Sequence, residues 1–365
     1  MGKRVIISGG GTGGHIYPAI AIANALQHRE PETEILFVGA LGKMEMEKVP
    51  RAGYKIVGLP IAGIKRSLSL ENLTLPFKMF RSLMKAKEVI KNFKPDVAVG
   101  VGGFASGPLL MMASMAGIPT LIQEQNSYAG ITNKFLAKRA AKICVAYPGM
   151  EAFFPKDKIT MLGNPVRSDI TYVHLKRAAA LEQFELDDRL KTLFVMGGSL
   201  GARSINESIH AGLGKLIEAG HQILWQTGKA YIETAQAAVS QLNTEKVKVF
   251  DFIYEMDLAY AVADVVVSRA GALSVSELCL AAKPAILIPY PLASEDHQTK
   301  NALTLVSQEA ALLISDSRAK QDLVPDTLAL MTNTAKQEVL KTNIKKLARP
   351  SAANDIALEV LKLIR

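Results

Sequence analysis

Three glycine-rich turns, each preceded by a short β-branched run and followed by a helical pattern, constrain this 365-residue chain more than any other feature. They lie at residues 9–14, 102–107 and 197–202. Glycine allows a positive φ and a close approach to a ligand, and a helix that starts beyond such a turn offers unpaired N–H groups to an anion. Tight strand-to-helix packing also favours glycine, so one turn alone would say little. Three in the same context predict phosphate-binding loops.

Strand-like runs alternate with helical patterns in both halves of the chain, which is typical of a doubly wound parallel sheet. This alternation begins again after residues 163–165. We therefore predict an α/β protein of two Rossmann-like domains with an interdomain ligand cleft, the first over residues 1–163 and the second over 164–349. A C-terminal helix is expected at about residues 350–365, and it could pack on the first domain. The predicted strands are 5–8, 35–38, 97–101, 120–123, 143–146, 192–196, 223–226, 247–250, 264–267 and 285–289.

Composition supports a globular fold. Hydrophobic residues make up 49% of the chain and charged residues 21%, which is typical of globular proteins. Cys144 and Cys279 are far apart and lack the spacing of a metal site, so two free, buried thiols are expected. The uncharged segment 97–123 is long enough to span a membrane. Its glycines and prolines instead favour a strand, a turn, a helix and a second strand.

The basic charge lies in the first half, where residues 1–165 hold 21 Lys and Arg against 11 Asp and Glu, and residues 166–365 hold 22 against 23. It is densest in residues 61–94, with eight basic and two acidic side chains among Ile, Leu, Phe and Met. Such a segment predicts contact with an anionic membrane surface. A core helix with a charged solvent face is the alternative. No nucleic-acid recognition motif is present, so nucleic acid is not an expected partner.

Several nucleotide chemistries are disfavoured. The first turn fits the pattern Gly-x-Gly-x-x-Gly, but the next strand runs into Gly39-Ala40 and not into an acidic residue for a ribose. No glycine turn continues into Lys-Ser or Lys-Thr, and no Asp-x-Asp occurs. A dehydrogenase, a P-loop NTPase and a carboxylate-held Mg²⁺ are therefore not expected. A bound diphosphate would depend on helix N-termini.

Two further features are candidates for the chemistry. In a fourth turn, residues 268–277, Ser274 precedes Glu277 by three residues, which is the spacing of a capping box. Alternatively, this turn meets a phosphate while Glu277 binds a sugar diol. His15 follows the first turn at a predicted helix start, where an imidazole can serve as a base.

Together the motifs resemble the MurG family, bacterial N-acetylglucosaminyltransferases that convert lipid I to lipid II in peptidoglycan synthesis. The resemblance rests on the four turns and on Glu124-Gln125-Asn126, Asn164-Pro165-Val166-Arg167 and the motif at 297–302, in order along the chain. It implies a GT-B type inverting transferase, peripheral on the cytoplasmic side of the bacterial inner membrane. UDP-GlcNAc would be the donor and an undecaprenyl-diphosphate-linked MurNAc-peptide the acceptor. No cofactor would be required, and stimulation by a divalent metal stays open.

The resemblance also implies roles for individual residues. His15 would be the general base, with Glu124 as its rival, and Gly103, Phe104 and Ser106 would bind the acceptor. Arg167 and Ser199 would meet the diphosphate, Ile253 the uracil and Glu277 the ribose. The full donor set is Thr12, Gly13, Gly14, Asn126, Arg167, Ser199, Ile253, Ala272, Leu273, Ser274, Val275, Ser276, Glu277 and Gln298.

Three other functions fit parts of the pattern. A transferase acting on another membrane lipid, such as diacylglycerol, would share segment 61–94, but the acceptor motifs argue against it. A UDP-GlcNAc 2-epimerase would use the same donor and would have no use for that segment. A membrane-docking scaffold without activity would not need donor residues in both halves.

Overall fold

The computed structural model describes residues 2–61 and 75–364. They form two compact units, one made of Met1–Arg167 with Ser351–Arg365 and the other of Ser168–Pro350. The first unit ends at Arg167, whereas the sequence predicts a boundary after residue 163. It also contains the C-terminal segment.

The described part of the first unit contains a parallel seven-stranded sheet in the order β3-β2-β1-β4-β5-β6-β7. Its strands are β1 (Arg4–Ser8), β2 (Glu34–Ala40), β3 (Lys55–Leu59), β4 (Val97–Gly100), β5 (Thr120–Glu124), β6 (Lys142–Val145) and β7 (Ile159–Met161). Its helices up to the boundary are α1 (Gly13–Arg29), α2 (Glu45–Arg51), α3 (Leu75–Phe93), α4 (Ser106–Met115) and α5 (Ile131–Leu136).

The second unit contains a parallel six-stranded sheet in the order β10-β9-β8-β11-β12-β13. Its strands are β8 (Thr192–Met196), β9 (Gln222–Gln226), β10 (Val247–Phe250), β11 (Val265–Ser268), β12 (Ala285–Leu287) and β13 (Leu312–Leu313). Its helices are α6 (Arg177–Gln183), α7 (Arg203–Glu218), α8 (Ile232–Gln241), α9 (Met256–Val262), α10 (Ala272–Ala281), α11 (His297–Val306), α12 (Ala319–Thr332) and α13 (Thr334–Lys346).

Both faces of the first sheet are buried, because strands joined through helices are covered on both sides. Val5 and Ile7 of β1 pack in one cluster with Ile16 of α1, and Ile6 packs in another with Leu109 of α4. All five side chains are fully buried. Successive side chains of β1 thus pack into the apolar clusters on opposite faces of the sheet, which fixes the position of the strand. The first glycine turn follows at its carboxyl end.

The last helix, α14 (Ala352–Lys362), belongs to the first unit and packs on α1. Its Ile356, Ala357 and Val360 are fully buried and belong to the same apolar cluster as Ile22 of α1. Burial of an Ile or Val side chain contributes about 1.5–3 kcal/mol. This helix therefore stabilises the element that carries the first glycine turn.

All ten predicted strands are present, with ends within two residues of the predicted ones. Segment 97–123 is confirmed as β4, a turn, α4 and β5. Within residues 2–61 and 75–364, no helix is both long and apolar enough to cross a membrane. The prediction omits β3, β7 and β13, which all lie at sheet edges. Two of them have only three and two residues, too few for a periodic pattern.

Candidate active site

The first glycine turn connects β1 to α1 and leaves the start of that helix without a side-chain cap. Gly11 has a φ of +87°, a conformation that glycine adopts readily. Thr12 is the N-cap residue, and its side chain makes no capping hydrogen bond. The first-turn amides, which include those of Gly13 and Gly14, therefore have the arrangement of an anion site.

His15, in the first turn of α1, is held by the backbone that precedes it. Its Nδ1 lies 3.1 Å from the carbonyl oxygen of Gly10 and 3.5 Å from the hydroxyl of Thr12. A carbonyl oxygen only accepts hydrogen bonds, so the shorter contact requires a proton on Nδ1. In the neutral ring Nε2 is then the nitrogen that accepts a proton, as a general base must.

The second glycine turn, between β4 and α4, packs against the first. The backbone N–H of Gly10 donates to the carbonyl of Gly102 at 3.4 Å. A Cβ on Gly103 would lie 2.3 Å from the Gly10 carbonyl oxygen, and one on Gly102 would lie 2.8 Å from Nε2 of His15. The absence of side chains at residues 102 and 103 therefore makes room for the first turn and for the imidazole.

The predicted acceptor residues of this turn differ in exposure. Ser106 is buried, and its hydroxyl lies 3.0 Å from the carbonyl oxygen of Ser8 and 2.9 Å from that of Gly102. It links the end of β1 to the second turn. Phe104 is 46% exposed, so it presents an apolar ring to solvent.

Glu124, at the end of β5, is a buried carboxylate that organises the loop after it. Its Oε1 accepts from the backbone N–H of Asn126 at 3.1 Å and from that side chain's amide at 3.4 Å. Its Oε2 accepts from the N–H of Gly130 at 3.0 Å and from the amide of Asn133 at 2.8 Å. Both oxygens thus accept hydrogen bonds from the following loop and from α5, and the carboxylate fixes the position of Asn126.

A buried amide network joins the motif at residues 124–126 to the motif at residues 164–167. The side chain of Asn164 donates to the carbonyl of Gln125 at 3.0 Å and accepts from Gln123 at 3.2 Å. Gln125 in turn donates to the carbonyl of Val101 at 2.6 Å and contacts the Gln123 side chain. The ends of β4 and β5 and the segment that leads to Arg167 are therefore held together. The guanidinium of Arg167 lies 5.8 Å from the ring centre of Tyr17.

Glu45, the first residue of α2, was not predicted as a site residue, yet its carboxylate contacts the first glycine turn. Glu45 is fully buried. Its Oε2 accepts from the N–H of Gly11 and its Oε1 from the N–H of Ala40, each at 2.9 Å. A glutamate in a helix rich in charge has no periodic signal that marks it as buried.

The third glycine turn connects β8 to α7 in the second unit. Gly201 has a φ of +78°, and a Cβ there would lie 2.0 Å from the carbonyl oxygen of Thr227. Ala202 is the N-cap residue of α7, and no side chain caps that helix. Ser199 is exposed. As in the first unit, a glycine turn leads to an uncapped helix start.

Gln226, at the end of β9, connects this turn to the predicted uracil segment. Its Nε2 donates to the carbonyl of Gly198 at 3.2 Å, and its Oε1 accepts from the N–H of Ile253 at 2.9 Å. The N–H of Ile253 is thus satisfied within the chain. A uracil ring that accepted a hydrogen bond from the N–H of Ile253 would have to displace Oε1 of Gln226 from it.

The fourth turn leads into α10, and the capping-box alternative is wrong. The N-cap residue is Gly271 and no side chain caps the helix, so Ser274 and Glu277 both lie inside it. The hydroxyl of Tyr260 donates to Oε2 of Glu277 at 3.1 Å. Ser276 donates to the carbonyl of Ala272. Leu273, Ser274 and Glu277 are partly exposed, whereas Ala272 and Val275 are buried.

Gln298 lies in the first turn of α11, after a strained backbone segment. Glu295 and Asp296 have φ of 55° and 53°, an arrangement that costs free energy in residues other than glycine. The Oε1 of Gln298 accepts from the N–H of Tyr290 at 3.0 Å. Backbone strain of this kind clusters at ligand sites.

Family models match both units. The glycosyltransferase family 28 N-terminal domain matches residues 5–145, and the family 28 C-terminal domain matches residues 192–356. A UDP-N-acetylglucosamine--N-acetylmuramyl-(pentapeptide) pyrophosphoryl-undecaprenol N-acetylglucosamine transferase of Phocaeicola vulgatus is 56% identical over 99% of this chain and 96% of its own length. The crystal structure of Acinetobacter baumannii MurG is 29% identical, with a TM-score of 0.78 and coverage of 99% of both chains. The chain belongs to the MurG family.

The two-domain fold extends beyond the MurG family. A UDP-GlcNAc 2-epimerase from Neisseria meningitidis, solved with UDP-GlcNAc bound, matches 99% of this chain with a TM-score of 0.68 at 14% identity. At that identity the likeness shows the fold alone. The expectation of two parallel-sheet, Rossmann-like domains of GT-B type is therefore confirmed.

The two free, buried thiols expected in this MurG-family chain are confirmed. Cys144 and Cys279 are free and buried. Burial raises the pKa of each thiol to about 12, because the thiolate loses its hydration. Over the described ranges 2–61 and 75–364, no three His, Cys, Asp or Glu side chains are grouped so that they would hold a metal ion.

Proposed function

We infer that this chain transfers N-acetylglucosamine from UDP-GlcNAc to the C4 hydroxyl of undecaprenyl-diphosphate-linked MurNAc-peptide, converting lipid I to lipid II in peptidoglycan synthesis. The observation that carries the inference is 56% identity, over 99% of the chain, to a relative named for this transfer. The local geometry supports it, since His15 offers a base and the helix starts after the glycine turns offer anion sites.

The proposed mechanism is a single displacement. Nε2 of His15 takes the proton of the acceptor hydroxyl, and the oxygen attacks the anomeric carbon of the α-linked GlcNAc. The bond from that carbon to the diphosphate breaks, UDP leaves with the electron pair, and the product is β-linked. Glu124 is the weaker candidate for the base, because the four hydrogen bonds that its carboxylate accepts would compete with the substrate proton.

We propose that the negative charge of the leaving UDP is stabilised by protein groups. The N-terminus of α7 after Ser199, the N-terminus of α10 and the guanidinium of Arg167 would supply the donors. Preorganised donors of this kind are each worth a few kcal/mol in the transition state. Because these protein groups would stabilise the leaving group without a metal ion, no cofactor would be required, and turnover should persist in EDTA. A complete loss restored by Mg²⁺ would refute this part.

Substrate use distinguishes this reaction from the alternatives. Purified protein incubated with UDP-GlcNAc and a lipid I analogue should release UDP and form a disaccharide-lipid. Transfer to diacylglycerol with no transfer to the lipid I analogue would instead assign the other lipid substrate. Formation of UDP-ManNAc without any acceptor would assign the epimerase reaction.

Glu277 is proposed to bind the ribose hydroxyls of the donor. Glu277→Ala should weaken UDP-GlcNAc binding by about 1–3 kcal/mol, because hydroxyls that lose an acceptor stay unpaired. Isothermal titration calorimetry measures this. Tyr260→Phe keeps the carboxylate and removes only the hydroxyl that orients it, so it should have a smaller effect. Unchanged affinity in Glu277→Ala, with only a lower melting temperature, would contradict the role.

We propose further that the enzyme is peripheral on the anionic, cytoplasmic face of the inner membrane and docks through α3. Residues 62–74 of predicted segment 61–94 lie outside the described residues. On α3, Phe77, Phe80 and Met84 are 65%, 61% and 53% exposed. They lie three and four residues apart, so they share one face. Arg81 is exposed beside them, with its guanidinium 5.8 Å from the Phe77 ring centre.

The exposed stripe is separate from the packing face of the same helix, where Ala86, Val89 and Ile90 are buried. An apolar stripe bordered by basic side chains matches the chemistry of an anionic lipid surface. Replacement of Lys78, Arg81 and Lys85 by Gln in one variant should weaken binding to phosphatidylglycerol vesicles by roughly 1 kcal/mol per charge removed. Co-sedimentation with the vesicles measures this. Activity on a water-soluble acceptor should survive.

A matched control changes the same number of charges elsewhere. Lys341, Lys345 and Lys346 are exposed on α13, and their replacement by Gln should leave vesicle binding unchanged. Equal losses in the two triple variants would mean that net charge, and not α3, determines binding. Equal sedimentation of the α3 variant and the parent would reject the docking proposal.

A further inference from the structure

The carboxylate of Glu45 and the imidazole of His15 contact opposite sides of one peptide group. The N–H of Gly11 donates to Oε2 of Glu45 at 2.9 Å, and the carbonyl oxygen of Gly10 lies 3.1 Å from Nδ1 of His15. These two backbone groups belong to the same planar peptide bond, in which the N–H and the C=O point in opposite directions. A rotation of this peptide would break both contacts together.

The surroundings of Glu45 are built around its carboxylate. The side chain is fully buried, and its other oxygen accepts from the N–H of Ala40 at the end of β2. A Cβ on Gly10 would lie 2.2 Å from Oε1 of Glu45, and one on Gly39 would lie 2.5 Å from its Cγ. Glycine at both positions therefore leaves the space that the carboxylate occupies.

A peptide between two glycines needs such an anchor. Neither Gly10 nor Gly11 has a side chain that would restrict its backbone, and glycine reaches positive and negative φ with similar ease. An acceptor fixed on the N–H side of the peptide determines where the carbonyl points. That carbonyl in turn determines which nitrogen of His15 carries the proton.

We propose that Glu45 is a positioning residue for the general base. It holds the Gly10–Gly11 peptide so that the Gly10 carbonyl accepts from Nδ1 of His15, which leaves the proton-accepting role to Nε2. The proposal rests on the assignment of His15 as the base under the proposed function. A purely structural Glu45 would tie β2 to the turn with no effect on the imidazole.

The test begins with the tautomer of His15 in the ligand-free enzyme, measured from the ¹⁵N chemical shifts of its ring. The parent should show Nδ1 protonated and Nε2 unprotonated. Glu45→Gln keeps the size of the side chain but offers one oxygen to two N–H groups, so the spectrum should shift towards a mixture of tautomers. A parent enzyme with the reverse tautomer would overturn the proposal even if no Glu45 variant folds.

Kinetics provide the second readout. Glu45→Gln should lower kcat by about 10- to 100-fold, the scale of loss for a misplaced catalytic group, with the KM for UDP-GlcNAc within about twofold of the parent value. In a His15→Ala background the same change should have no further effect on kcat. Val49→Ala, at a fully buried position of the same helix, should lower the melting temperature and leave tautomer and kcat unchanged.

The outcomes separate the two assignments. Near-normal kcat in His15→Ala would reject His15 as the base, while the tautomer spectra would still report on Glu45. A Glu45→Gln enzyme with a lower melting temperature but the parent's tautomer and kcat would reject the positioning role.

Discussion

His15→Ala should lower kcat by a factor of about 10² to 10⁴, the usual cost of losing a positioned general base. The KM for UDP-GlcNAc should change little, because the imidazole acts on the acceptor hydroxyl. The pH dependence of kcat should change with it. In the parent, protonation of the base at low pH removes the acceptor nitrogen and gives an acid limb, which the variant should lack.

The local geometry separates this role from a competing one. A neutral His15 that donated a hydrogen bond to the donor diphosphate would need a proton on the nitrogen facing the ligand. In the structure the Nδ1 proton is directed at the Gly10 carbonyl, so Nε2 is the acceptor. A His15→Ala enzyme with normal kcat and a raised KM for UDP-GlcNAc would support the competing role.

A matched control lies on the same helix. His28 is exposed in the last turn of α1, well beyond the glycine turn. His28→Ala should leave kcat, KM and the acid limb as they are. If both variants lost activity equally, the effect would belong to the stability of α1, and His15 would lose its assignment. Melting temperatures of the two variants check this directly.

The sequence was sufficient to predict the two-domain α/β fold and ten of its strands. In a parallel sheet the carboxyl ends of neighbouring strands lie at one edge, so loops after β1, β4 and β5 had to converge. The structure brings the first two glycine turns into contact and ties the loop after β5 to them through Gln125. That convergence depends on the strand order, which places β4 beside β1 and β5 beside β4 and which the strand and motif patterns did not predict.

The side chains that hold the turns in place were not predictable in the same way. Glu45 contacts a glycine 34 positions earlier, and Gln226 at the end of β9 contacts Ile253 in the loop after β10. Such contacts depend on how α2 and β9 pack, which no local pattern encodes. A signal did exist for Gln226, because a polar residue that ends a buried strand needs a hydrogen-bond partner.

The start of α10 was ambiguous for a local reason. Ser274 and Glu277 have capping-box spacing, but Gly271 already provides an extended residue before the helix, with a φ of −64° and a ψ of 146°. The helix then begins two residues before Ser274. Glu277 consequently points to Tyr260 rather than to a helix terminus.

Gly102→Ala should lower kcat by about 100-fold, through displacement of His15. The new Cβ would lie 2.6 Å from Cδ2 and 2.8 Å from Nε2 of the imidazole, closer than real Cβ atoms come to their neighbours. The ring has to move, and a displacement of about 1 Å in a catalytic group typically costs that factor. The positive φ of Gly102, +101°, adds backbone strain and should lower the melting temperature as well.

Gly117→Ala separates the clash from the strain. Gly117 also has a positive φ, +76°, but a Cβ there meets nothing within 4 Å. It should therefore lose stability through strain alone and keep the parent's kcat. Gly117→Ala should also keep the parent's KM for UDP-GlcNAc, because Gly117 lies outside the glycine turns and the predicted donor residues. Full kcat in Gly102→Ala would reject His15 as the general base. The new Cβ must displace the imidazole, and a displaced base should lose rate.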